Sequence, residues 1–193
     1  GDTRHKADIA EEIARFYGYD VIPNTAVTGA AQGGLTAEQK FEKRLGELLR
    51  ANGCYEIETY SFISPKYYDK INLPEDSELR RSVVITNPLG EDTSVMRTTC
   101  VPSMLEVIAR NYNNRNLAGR LYEMGKVYLP KETPDILPDE RAVAVVGTFG
   151  DKEDFFALKG ILNEAFEKLG VLGVEYSALR TDPAFHPGRC AEI

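Results

Sequence analysis

Residues 119–149 read GRLYEMGKVYLPKETPDILPDERAVAVVGTF. Two runs rich in aliphatic and aromatic residues, 119–129 and 141–149, flank PKETPDILPDE, whose three prolines mark it as a loop. Two such strands, set among helices of ordinary length and long connections, predict an α+β fold. Its mainly antiparallel sheet would be flanked by helices. The order of the strands does not follow from the pattern.

Working outward, the punctuation is clearest upstream at Thr36 and Gln39, a T-x-x-Q capping box. It opens a helix whose buried stripe is Phe41, Leu45, Leu48 and Leu49, and Gly53 ends it. YEIETYSF (55–62) reads as a strand, and VVIT (83–86) as a short buried one closed by Asn87-Pro88. Helical spacing returns over 101–115 through Val101, Leu105, Ile108 and Tyr112, with Pro102 in the first turn, where its missing N–H does no harm. Downstream, Asp154 is the expected N-cap of a helix burying Phe155, Leu158, Leu162, Phe166 and Leu169. VEYSA (174–178) is a last strand. At the other end, residues 8–17 carry one apolar stripe, Ile9, Ile13, Phe16 and Tyr17, stopped by Gly18. NTAVTGAAQGG (24–34) is a glycine-rich boundary segment.

The 193 residues are 42% hydrophobic, enough for a sizeable core in one large domain or two small ones. With 23 basic and 30 acidic side chains the net charge is −7, which does not favour phosphate backbones except through a local patch. No apolar run reaches membrane-spanning length, and the first residues lack the regions of a signal peptide. The chain reads as a fragment, beginning on a charged segment and ending on HPGRCAEI, where a strand is about to start. Three dispersed cysteines, Cys54, Cys100 and Cys190, and only two histidines argue against a zinc knuckle or a disulfide framework, and for a reducing, cytosolic setting.

Chemistry-bearing residues are few. Asp2, Asp8, Glu11 and Glu12 crowd one end of the first helix. The helix dipole accounts for acids there. Convergence on a hard cation, magnesium rather than zinc, is the sharper alternative for an oxygen-only set. His186-Pro187-Gly188-Arg189 is either a turn presenting imidazole and guanidinium to an anion or simply a Pro-Gly turn. Arg97 either binds phosphate or pairs with an acid. No GxSxG, P-loop or GxGxxG occurs.

In combination, DIAEEIARFYGYDVIP, GGLTAEQKFEKRLGELLRANGCYEIETYSF, NPLGEDTSVMRTTCVPSMLEVIARNYNNRN, LYEMGKVY, DFFALKG and FHPGR closely resemble the bacterial phenylalanine–tRNA ligase β subunit family along nearly the whole chain. The resemblance implies that residues 1–23 end a B5 domain, 24–34 link, and 35–193 form a class II aminoacyl-tRNA synthetase-like core, non-catalytic and truncated at its C-terminus. It implies an α2β2 ligase in the cytoplasm whose α subunit holds the phenylalanine and ATP site, with tRNA(Phe) bound by the full enzyme. It also implies a Mg2+ site shared with the α subunit on Asp2, Asp8, Glu11 and Glu12, weak or empty in this chain alone. Active class II enzymes carry Arg-x-Glu on a strand. The matching strand here is LYEMG, with Leu121 in the arginine's place and Glu123 kept, unless a one-residue shift brings Arg120 in. Two other readings stand beside this one: a stand-alone magnesium-dependent enzyme using the acidic cluster, and an interaction module without a ligand.

Overall fold

The structure, a computed structural model, describes residues 3–29, 33–132 and 136–193. The chain divides into two compact units, Gly1–Gly34 and Leu35–Ile193.

In the first unit, helix α1 spans Lys6–Tyr17. It stops where expected, because Gly18 takes a left-handed φ of 100° while its N–H still bonds the Ala14 carbonyl at 2.9 Å. Its apolar stripe is exposed throughout, Phe16 at 81%.

The second unit is built on a three-stranded sheet. The strands are β1 (Tyr55–Glu56), β4 (Gly119–Leu129) and β5 (Asp139–Phe149), in the order β1-β4-β5. The two long strands pair antiparallel from Gly119↔Phe149 to Leu129↔Asp139, while β1 joins β4 in parallel. Two small antiparallel pairs complete the strands: β2 (Phe62–Ile63) with β3 (Val95–Met96), and β6 (Ser177–Ala178) with β7 (Ala191–Glu192). The helices are α2 (Ala37–Ala51), the short α3 (Lys66–Lys70), α4 (Val101–Asn113) and α5 (Phe155–Leu169). The fold is α+β with antiparallel-rich sheets. No helix among the described residues is long and apolar enough to cross a membrane.

Strand alternation sends neighbouring side chains of β4 to opposite faces. Tyr122, fully buried, packs with Leu49 of α2, Cys54 and Ile161 of α5, with Met124 and Val146 alongside. The other face meets α4. A Cβ on Gly147, the partner of Leu121, would lie 2.7 Å from Ile108 and 2.9 Å from Met104, so a larger residue there would force those side chains to shift.

Both expected caps form. Thr36 Oγ1 accepts from the Gln39 N–H, and Gln39 Oε1 accepts from the Thr36 N–H. Asp154 Oδ1 accepts from the Ala157 N–H at 2.8 Å.

Several expectations need correction. The strand expected over 55–62 survives only as β1 and β2, because Ile57 makes its last sheet bond, to the Tyr122 carbonyl, and Thr59 then turns to a side chain. VVIT makes only an isolated bridge, Val84 to Val95, and Val84 is exposed rather than buried. Phe41 is half exposed, since the residues that cover α2 gather around Leu49, toward its C-terminal half. On α5 the fully buried positions are Ile161 and Ala165, between the expected ones, which are only partly covered. On α4 they are Pro102, Ser103 and Met104, while Leu105 and Tyr112 face outward.

Candidate functional site

The most enclosed polar arrangement lies on the α4 face of β4. Arg97, directly after β3, is 2% exposed, and so is Glu123 at the centre of β4. Two buried opposite charges require each other and need hydrogen bonds for their remaining polar atoms. Arg97 Nη2 donates to Glu123 Oε1 at 2.9 Å, Nη1 to Thr59 Oγ1 at 2.7 Å, and Nε to the Lys126 carbonyl at 2.8 Å. The Thr59 hydroxyl in turn donates to Glu123 Oε2 at 2.8 Å, and its N–H to Oε1 at 3.3 Å. The backbone fixes Arg97 as well, its N–H donating to the Ser61 carbonyl and its carbonyl accepting from the Tyr128 N–H. Gly125 makes room: a Cβ there would stand 2.4 Å from Arg97 Nη2. Beside it, burial pushes the Cys100 thiol up to about 11.

Each guanidinium nitrogen and each carboxylate oxygen has a partner within the protein, with three of the five guanidinium N–H groups donating inside the network, and both groups are buried. Leu121, two residues before Glu123, shares its face and is buried. Arg120 lies on the opposite face, donating to Glu153 Oε1 at 2.8 Å and to the Asn52 carbonyl at 2.9 Å. Of the two readings of Arg97, the pairing with an acid is the one observed. Thr59 was not singled out in the sequence, and nothing local distinguishes it, since its partner lies 64 residues away.

A cleft of about 590 Å³ opens next to Thr59, lined among others by Glu58, Tyr67, Asp92, Ser103, Glu106 and Arg110. Three carboxylates face one guanidinium there. The Tyr67 hydroxyl donates to Glu106, and this bond, helped by burial, raises the phenol to about 12.

The expected magnesium ligands are only partly in view, since Asp2 lies outside the described residues. Asp8 Oδ2 accepts from the backbone N–H groups of Arg4 (2.7 Å) and His5 (2.8 Å), and these bonds lower its pKa. Glu12 pairs with Arg15 at 2.6 Å. Among the described residues no three acids, histidines or cysteines converge on a point that would hold a metal. As placed, Asp8 serves the helix start and Glu12 a surface ion pair.

The HPGR segment forms a turn. The Arg189 N–H donates to the His186 carbonyl at 2.9 Å, and the Gly188 N–H to His186 Nδ1 at 3.1 Å. The imidazole therefore stabilises the turn from within.

The family model described as the phenylalanyl tRNA synthetase beta chain CLM domain matches residues 22–193. The chain belongs to that family. It is 45% identical over 189 residues to the phenylalanine–tRNA ligase beta subunit of Clostridium tetani, covering 97% of this chain and 24% of the relative. With the beta subunit of Clostridium acetobutylicum it shares 46% over 193 residues, covering 100% and 24%. The chain thus spans about a quarter of the length of these relatives. Among solved structures, pyrrolysyl-tRNA synthetase from Desulfitobacterium hafniense superposes with a TM-score of 0.61 at 17% identity, covering 75% of this chain and 51% of that one. A histidine–tRNA ligase subunit from Alicyclobacillus acidocaldarius gives 0.52 at 15%, covering 78% and 44%. The fold of the CLM chain is that of a class II synthetase-like core.

Proposed function

We propose that this chain is a synthetase-shaped, non-catalytic body that supports the α subunit of phenylalanine–tRNA ligase, the subunit that attaches phenylalanine to tRNA(Phe) with ATP. The buried, mutually paired network of Arg97, Glu123 and Thr59 beside Leu121 carries this reading. Activating an amino acid needs a cationic donor free to hold a phosphate as charge develops. By the family resemblance Leu121 stands where that arginine belongs, and an isobutyl group donates nothing. The guanidinium that does reach Glu123 is buried and held by three hydrogen bonds within the protein. The adjoining cleft, with Glu58, Asp92 and Glu106 on its walls, opposes a polyphosphate by like charge.

In this reading the working assembly is a cytoplasmic α2β2 ligase that binds tRNA(Phe) as a whole. Magnesium belongs at Asp2, Asp8, Glu11 and Glu12 only once the α subunit contributes and Glu12 is released from Arg15. Two measurements test the proposal together. The matching α subunit is expected to co-purify with this chain, and the chain alone is expected to give background phenylalanine-dependent pyrophosphate exchange. Exchange above background, or failure to capture the α subunit, refutes it.

A further inference from the structure

We propose that the cleft between the first turns of α5 and the β6–β7 pair binds a nucleotide unit, a flat base carrying a phosphate. This rests on the cleft's own chemistry and not on the reading above. The cleft measures about 490 Å³, and Phe155, Phe156, Lys159, Tyr176, Arg189 and Cys190 are among the residues lining it.

Three features converge there. Phe156 leaves 73% of its surface exposed in the first turn of α5, with Phe155 set edge-on to it at 5.5 Å and 87°. That geometry keeps a ring face free for stacking. Lys159 Nζ lies 4.0 Å from the centre of the Tyr176 ring, which is steadied by a 2.6 Å bond from its hydroxyl to Asn163 Oδ1. Arg189 enters from the other wall, carried by the turn that His186 closes from within.

Neither cation pairs with a carboxylate among the described residues. The acid that lines the cleft, Asp154, caps α5 through Oδ1. Two unmatched cations on a chain of net charge −7 form a local anion site. Free phosphate would leave the exposed ring unused, and an apolar ligand would leave the cations unmatched. A base on Phe156 with its phosphate toward the Arg189 fork uses both. The unit could come from a free nucleotide or from a single RNA strand, and the test separates these sources.

The probes are AMP, a fluorescent uridine hexamer, inorganic phosphate, and a peptide alternating glutamate and tyrosine, each titrated against the whole chain. We expect binding of AMP or the hexamer, weakened roughly tenfold by Arg189→Gln and by Phe156→Ala. Both positions are exposed, so melting temperatures should not move, and Lys168→Gln, outside the cleft, should leave binding unchanged. A hexamer at least tenfold tighter than AMP identifies a strand as the source, and comparable affinities a free nucleotide. No binding of either probe at millimolar concentration overturns the proposal. So does equal loss on Lys168→Gln, phosphate binding as tightly as AMP, or the peptide binding as tightly as the hexamer.

Discussion

Arg97 is the largest fully buried side chain of the described residues, and a buried cation stands or falls with its partner. Removing one side of such a pair strands the other, so Arg97→Met and Glu123→Leu should each lower unfolding free energy by about 3–5 kcal/mol. The double substitution should be less destabilised than either single one, and urea unfolding of the four proteins measures this. Strictly additive losses would show that the two groups do not need each other. The same face holds a second test. Burial raises the thiols of Cys54 and Cys100, the latter to about 11, whereas Cys190 is partly exposed. At pH 8 those two remain protonated and covered, so a thiol reagent should label one cysteine quickly in the native protein and three after denaturation. At this scale the sequence was legible only in part. Arg97 pairing with an acid was one of two open readings, but which acid depended on a contact spanning 26 residues. The acids of α1 were conspicuous for their spacing, yet Glu12 turns to Arg15 and Asp8 to the backbone, choices that spacing does not reveal.

At the scale of elements, the long strands and the capped helices were readable because their signals are local. Eleven paired residues in each long strand, or a Thr36–Gln39 box, need no distant partner to be recognised. The short strands were readable only in place and not in extent: the run expected over 55–62 breaks because Thr59 leaves the sheet for Glu123, an attraction that β-propensity ignores. The buried face of α4 was misjudged for a related reason. It carries Ser103, whose polarity disguised it, whereas apolar Leu105 faces outward. Two glycines in the sheet then decide how closely the elements approach. At Gly147 an added methyl meets the flexible ends of Ile108 and Met104, which can yield. At Gly125 it meets Arg97 Nη2, held by its own hydrogen bonds. Gly147→Ala should therefore be destabilising by about 1 kcal/mol and Gly125→Ala by about 3 kcal/mol or more. Chemical denaturation of the two variants compares them directly, and the reverse order would mean that the guanidinium is not fixed.

At the scale of the whole molecule, the two units differ in what they bury. The glycine-rich run 24–34 reads as a linker by composition. The core sits in Leu35–Ile193, whereas α1 buries none of its side chains. A helix of 12 residues with no packed face is marginal in water. A chain lacking residues 1–34 keeps the core of Leu35–Ile193 and should still unfold in one cooperative transition, followed by circular dichroism. A peptide of residues 1–34 should show little helical circular dichroism. Magnesium sharpens the comparison, because all four proposed ligands lie in the segment removed. A ligand that binds only the folded state raises its melting temperature. With the α subunit absent, 10 mM magnesium is expected to move the full chain no more than the truncated one. A rise confined to the full chain would mean that Asp2, Asp8, Glu11 and Glu12 form a competent site by themselves. The surface pairing of Glu12 with Arg15 would then be an arrangement that the ion displaces.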